Sequence, residues 1–182
     1  MVKKDLVLLY SGGLESRYLL HLALQLSLKP FCVLVDYGQK HIAELTTAVS
    51  ICIQLEIEYE IVKLTIPKVE SKLTGNFQTT YEGVSEWYVP SRNLIFVSLA
   101  ASMAESRGID TIWYGASYSD RVNIFPDCYQ DWVVAVNKVL VKNGSKKIQL
   151  VAPLMGMPKE LIQELAKIAG IKNEEVFSGY GE

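Results

Sequence analysis

The chain has 182 residues, with 49% hydrophobic and 21% charged side chains. These are ordinary values for a globular protein, and they exclude a disordered chain. Eighteen Lys and Arg stand against twenty Asp and Glu, for a net charge of −2, so no surplus of positive charge favours wrapping a phosphate backbone. Nucleic acid is therefore not an expected partner. No apolar run is long enough to span a bilayer, so neither is a membrane. The length suits one domain, 1–182, with a short tail over about 171–182. A chain this long buries roughly 70% of its unfolded surface and folds without a metal or disulfide. Residues 1–5 lead into a short apolar run that reads as a first strand and not as a signal peptide. The cysteines, Cys32, Cys52 and Cys128, are odd in number and form no C-x-x-C pair. They read as buried thiols of a reducing, cytoplasmic compartment.

Asp5–Tyr10 reads as a buried strand ending at Ser11-Gly12-Gly13. Leu14–Leu26 has the apolar spacing of a helix. Phe31–Val35 is a second strand. Lys40–Leu55 is an amphipathic helix with Ile42, Leu45, Val49 and Cys52 on one stripe. Tyr59–Ile66 is a third strand. Asn93–Arg107 is an Ala-rich helix ended by Gly108, and Asp110–Tyr114 a fourth strand stopped by Gly115. Asp127–Val141 is a helix and Ile148–Ala152 a fifth strand. A last helix runs to Ile168 with Pro158 at its first position. This alternation predicts an α/β fold: a doubly wound, Rossmann-like parallel sheet of about five strands.

In such sheets, ligands sit beyond the carboxyl ends of the strands. Five stretches fall there: Ser11–Gly13, Asp36–Gly38, the long segment Pro67–Pro90, Gly115–Pro126 and Pro153–Met157. Ser11-Gly12-Gly13-Leu14-Glu15-Ser16 joins a strand to a helix. Its glycines permit a sharp turn and close backbone approach, and the helix start offers unpaired N–H groups. Together they make an anion site suited to pyrophosphate, flanked by two hydroxyls. The alternative is a tight turn with a Ser cap. It is not a Walker loop, which needs G-x-x-x-x-G-K-[ST]. Asp36-Tyr37-Gly38 offers a carboxylate, an aromatic face and a backbone N–H, or simply a strand-to-helix turn. Pro67–Pro90 holds Phe77, Tyr81, Trp87 and Tyr88 with two glycines. It reads as a lid over substrate, hinged near Gly75 or Gly83, or as an interface with a second copy in a homodimer.

Ser11–Ser16 resembles S-G-G-x-D-S, the pyrophosphate loop of the PP-loop ATP pyrophosphatases (adenine nucleotide alpha hydrolase-like), with Glu15 in place of the usual Asp. Asp36-Tyr37-Gly38-Gln39-Lys40-His41 resembles the F-D-Y-G-Q-x-H of the 7-cyano-7-deazaguanine synthases, the QueC-type branch of that group. Val89-Pro90-Ser91-Arg92-Asn93 resembles V-P-G-R-N. Gly115, Asp120 and Pro126-Asp127-Cys128 resemble G…D…Y-P-D-C, with one extra residue. Pro153-Leu154-Met155 with Lys159 resembles P-L-M…K. These matches run in order from about Val7 to Lys159. The family's C-terminal segment carries four zinc-binding cysteines; Glu174–Glu182 has none, so no zinc site is expected.

The resemblance implies an ATP-dependent carbon–nitrogen ligase of queuosine-type nucleoside biosynthesis. ATP adenylates the carboxylate of 7-carboxy-7-deazaguanine, ammonia gives the amide, and a second ATP gives the nitrile, preQ0. The implied ATP contacts are Tyr10, Ser11, Gly12, Gly13, Leu14, Glu15, Ser16, Arg17, Asp36, Tyr37, Gly38 and Gly115. The implied substrate contacts are Gln39, His41, Arg92, Asn93, Asp120, Phe125 and Asp127. Ser11, Glu15, Ser16, Arg92 and Lys159 are the implied catalytic set, with Glu15 on Mg²⁺. Asp127 is otherwise a solvated helix cap, and Lys159 a surface charge. Phe77, Trp87, Tyr88 and Phe125 offer flat faces for a heterocycle. Cys128 is not needed as a nucleophile, since adenylation uses none. Two alternatives stay open: an enzyme that stops at the amide or joins the acid to another amine, and an inactive nucleotide-binding subunit.

Overall fold

A computed structural model describes residues 4–39, 42–65, 88–119, 125–144 and 147–176. His41, Asp120 and most of the expected lid, with Phe77, Tyr81 and Trp87, lie outside these residues.

Five strands form one sheet: β1 (Leu6–Leu9), β2 (Pro30–Asp36), β3 (Tyr59–Lys63), β4 (Thr111–Trp113) and β5 (Gln149–Val151). Their order is β3-β2-β1-β4-β5, and every pairing is parallel. The expected doubly wound sheet is therefore the observed one. Parallel strands need crossovers, and five helices are described: α1 (Leu14–Gln25), α2 (Ile42–Gln54), α3 (Arg92–Arg107), α4 (Gln130–Lys142) and α5 (Lys159–Ile168).

The alternation of β1 divides the core. Leu6, Leu8 and Tyr10 face α1, α2 and α5 with Leu19, Leu20, Ala48 and Ile162. Val7 faces α3 and α4 with Val97, Ala100, Val133 and Leu140. Side chains buried on both faces explain why β1 and β2 read as continuous apolar runs. The three cysteines are buried. Cys32 on β2 and Cys52 on α2 hydrogen bond each other, which pushes the Cys32 thiol up and draws Cys52 down.

Two helix starts differ from the sequence reading. The helix expected over Asp127–Val141 is broken in two: Pro126–Cys128 is a 3₁₀ turn and α4 begins at Gln130. Tyr129 between them is extended, φ −106° and ψ 148°. The carbonyl of Asp127 instead accepts the Tyr114 hydroxyl at 2.7 Å. Pro158 stands before α5 and not at its first position, because its ψ of 152° is extended. Gly108 ends α3 at φ 64°, as a left-handed cap.

Candidate active site

With every strand parallel, the connections after β1, β2, β4 and β5 emerge at one edge. The sheet order reverses between β2 and β4, on either side of β1, and a crevice opens at such a switch point. The loop Ser11–Ser16 lies there. Gly12 has φ +87°, and a Cβ on it would lie 2.6 Å from the Glu44 carbonyl oxygen. Glycine is needed at this position both for its backbone angle and for the approach of α2. On the other side, a Cβ on Gly115 would lie 3.1 Å from the Glu15 Cβ and 3.2 Å from the Ser16 nitrogen. The turn after β4 thus crosses directly against the start of α1.

The Ser16 hydroxyl is the hub of the loop. It accepts the N–H of Ser11 at 3.3 Å and of Gly12 at 3.2 Å. It donates to the Gly13 carbonyl at 3.0 Å. The Ser11 hydroxyl lies 3.1 Å from it and accepts the Gly13 N–H at 3.2 Å. Ser11 is exposed and Ser16 buried. The cap residue of α1 is Gly13, which has no side chain to cap the helix, and a helix start of this kind suits an anion. Tyr10 and Arg17 are both buried. The Arg17 guanidinium pairs with Glu175 at 2.6 Å. Leu14 packs against the cluster that lines α1.

After β2, the Asp36 carboxylate accepts the Gly38 N–H at 3.3 Å, and the Gln39 side-chain carbonyl accepts the Tyr37 N–H at 3.0 Å. These bonds fix the turn and aim Tyr37 at α3. There Arg92 Nη1 donates to the Tyr37 hydroxyl at 3.2 Å, and Tyr37 packs on Phe96 with ring centres 5.3 Å apart. Arg92 opens α3 directly after Ser91, whose φ of 56° is left-handed.

Asp127 is only 8% exposed, so it is not a solvated cap. Burial raises its carboxyl above the usual range, while Arg92 and hydrogen bonds from Asn93 and Cys128 pull it back. Arg92, Asn93 and Asp127 therefore meet, although 35 positions separate the arginine and the aspartate in sequence. Phe125 packs at the edge of the same core. Lys159 Nζ lies 4.0 Å from Glu15 Oε1, and its backbone N–H is held by the Ser119 hydroxyl at 2.9 Å. Pattern reading missed one carboxylate here. Glu44, in the first turn of α2, is pushed up to about 7 by burial, with Arg92 pulling it down. Its signal in the sequence is a helix-start acid three residues after His41. Among the described residues, no group of three or more His, Cys, Asp and Glu could hold a metal ion. No described helix is long and apolar enough to cross a membrane.

Solved structures share this fold. The U34-tRNA thiolase NcsA from Methanococcus maripaludis superposes with a TM-score of 0.60 at 16% identity, covering all of this chain and 62% of the thiolase. An NH3-dependent NAD synthetase from Campylobacter jejuni gives 0.57 at 18% identity, covering all of this chain and 71% of the synthetase. The sequence itself points to one branch. A 7-cyano-7-deazaguanine synthase of Psychromonas ingrahamii is 30% identical over 190 residues, 98% of this chain and 85% of its own. One from Thermoplasma volcanium is 33% identical over 192 residues, 99% of this chain and 79% of its own. The family model for the queuosine biosynthesis protein QueC matches residues 5–182. The chain belongs to the QueC family of queuosine biosynthesis proteins.

Proposed function

We propose that the chain is an ATP-dependent ligase that converts 7-carboxy-7-deazaguanine and ammonia to 7-cyano-7-deazaguanine through the amide. The observation that carries this reading is the meeting of Ser11–Ser16, Tyr37–Arg92, Asp127 and the Glu15–Lys159 pair at one sheet edge. A carboxylate is a poor electrophile, and its adenylate has a good leaving group. The chemistry therefore asks for held phosphates, a cation to neutralise them and a flat polar pocket.

Each group has a role on this reading. The backbone N–H groups of Ser11, Gly12 and Gly13 already donate to oxygen, since serine hydroxyls accept from them. The pyrophosphate part of ATP takes over the Gly13 N–H from the exposed Ser11 hydroxyl. Glu15, with an oxygen toward Lys159, fits a Mg²⁺ bound partly through water. That ion supplies charge neutralisation to the phosphates. Lys159 faces the same charge from the other side. Arg92 is steadied by Tyr37 and orients the substrate carboxylate. Asp127 and Asn93 accept and donate at the guanine-like edge, with Phe125 beside them. Gln39, and His41 and Asp120 outside the described residues, complete the substrate set, and Asp36, Gly38 and Gly115 the nucleotide set. The substrate carboxylate attacks the α-phosphorus of ATP and pyrophosphate leaves. Ammonia then attacks the acyl carbon, the C–N bond forms, a proton is lost, and AMP leaves with the first oxygen to give the amide. A second ATP takes the amide oxygen in the same way, and departure of AMP with that oxygen and loss of the two N–H protons leave the nitrile.

The test is pyrophosphate release that depends on the deazaguanine acid, followed by mass spectrometry of the product. A mass matching the nitrile supports the full reaction. The amide or another conjugate replaces it with the shorter chemistry. No acid-dependent pyrophosphate means a nucleotide-binding subunit without activity.

A further inference from the structure

Arg17 is the fourth residue of α1, directly behind the hub hydroxyl of Ser16. Its side chain is 8% exposed, and Nη2 donates to Glu175 Oε2 at 2.6 Å. Glu175 closes the 3₁₀ turn Asn173–Glu175, which packs against α2. The pair joins two ends of the chain, 158 positions apart. Arg17 Nε and Nη1 are buried with no hydrogen-bond partner among the described residues, as is the Tyr10 hydroxyl at the end of β1.

Such a pair is a poor source of stability. Taking two charges out of water offsets most of their attraction, and apolar side chains of similar volume often do as well or better. Donors left unfilled worsen the balance. What the pair provides is position. The Arg17 N–H donates to the Gly13 carbonyl at 2.9 Å, the same oxygen that accepts the Ser16 hydroxyl at 3.0 Å. Gly12 and Ser11 hang in turn on Ser16. A shift of Arg17 therefore reaches the loop through one peptide and one shared carbonyl.

We propose that Arg17 and Glu175 form a clamp that sets the Ser11–Ser16 loop from behind, so that the C-terminal turn is a working part of the nucleotide site. Arg17 is on this view a positioning residue, and the proposal rests on the nucleotide reading given above. Ligation at the loop and docking of the turn are then linked, each strengthening the other.

The experiment compares the unaltered chain with the double variant Arg17→Met/Glu175→Leu and the single variant Glu175→Gln. Three quantities are read: melting temperature, amide exchange without nucleotide, and ATP affinity by calorimetry. The double variant should melt at or above the temperature of the unaltered chain. Exchange at Gly12 and Gly13 should nevertheless speed up, with Leu8 in β1 unchanged. ATP should bind about tenfold more weakly, the size of a typical coupling between sites. The KM for ATP should rise while kcat at saturating ATP holds. A folded double variant with unchanged loop exchange overturns the clamp. Where that variant does not fold, the same exchange and affinity readings on Glu175→Gln decide in the same way. If the unaltered chain itself binds no ATP, the nucleotide reading falls, and loop exchange alone still decides whether the clamp holds the loop.

Discussion

The Arg92 guanidinium and the Tyr37 hydroxyl meet at 3.2 Å across 55 positions of sequence. The contact ties the turn after β2 to the first residue of α3. A helix start disfavours a cation, so Arg92 is held there by its neighbours, Tyr37 on one side and the carboxyls of Asp127 and Glu44 on the others.

Removing that hydroxyl is a mild structural change with a directed functional effect. Tyr37→Phe keeps the ring against Phe96 and deletes one hydrogen bond to a charged group, a loss of about 1.5–3 kcal/mol at most. The expected outcome is a fall in kcat/KM for the deazaguanine acid of about tenfold, a difference of 1.4 kcal/mol in transition-state binding. ATP affinity, measured by calorimetry, should change little.

The two loop glycines should behave differently. Gly12→Ala places a Cβ 2.6 Å from the Glu44 carbonyl at φ +87°, so it should destabilise the fold by at least about 1 kcal/mol. Gly13 has φ −73°, and its nearest neighbour to a new Cβ is the Ser11 hydroxyl at 3.4 Å. Gly13→Ala should therefore melt normally and weaken ATP alone. Calorimetry beside thermal melting separates the two effects.

Glu44 gives a dependence of stability on pH. Its folded carboxyl sits at about 7 against an ordinary 4.5. Below 4.5 it is neutral in both states, and its contribution is fully present. As pH rises from 4.5 through 7, folding must carry a charge in a half-buried place, and that contribution is lost. Asp127 is shifted in the same direction. Glu44→Gln should flatten part of the decline over this window. The variant should melt above the unaltered chain at pH 8 and alike at pH 4.5, in scans made at both.

Glu15 is the position that tests the metal. Glu15→Asp should retain turnover, since a shorter arm can be bridged by water. Glu15→Gln should lose most of it, and titration with Mg²⁺ should show a raised requirement. Equal turnover for Gln and Glu would remove Glu15 from the metal.

The strand and helix order was legible because the central strands β1 and β2 are buried on both faces and read as apolar runs, and because strands and helical stripes alternate along the chain. The sharp turn at Ser11–Gly13 was legible because two adjacent glycines stand between an apolar run and a helical stripe. What escaped was set by contacts distant in sequence. The break at Tyr129 follows a hydrogen bond from Tyr114, which no local pattern records. A charged residue on an amphipathic helix carries no local mark of burial, and Glu44 is half-buried only because α2 packs against the turn at Gly12. Arg17 was expected among the ATP contacts, and its ion pair with Glu175, 158 positions away, has no local signal in the sequence.

The place of β1 in the sheet has a consequence for synthesis. Leu6–Leu9 leaves the ribosome before the other four described strands, yet it ends in the middle, between β2 and β4. Its first edge closes once Pro30–Asp36 has emerged, and its second must wait for Thr111–Trp113. For most of translation the nascent chain therefore carries an open, apolar strand edge of the kind that recruits other strands. Helices α1 and α2 can cover one face of the half-sheet early, while the face that Val7 shares with α3 stays bare until α3 is made. Slow passage of the ribosome between β2 and β4 should therefore favour aggregates over folded enzyme, and a holdase that masks apolar strands should raise the yield.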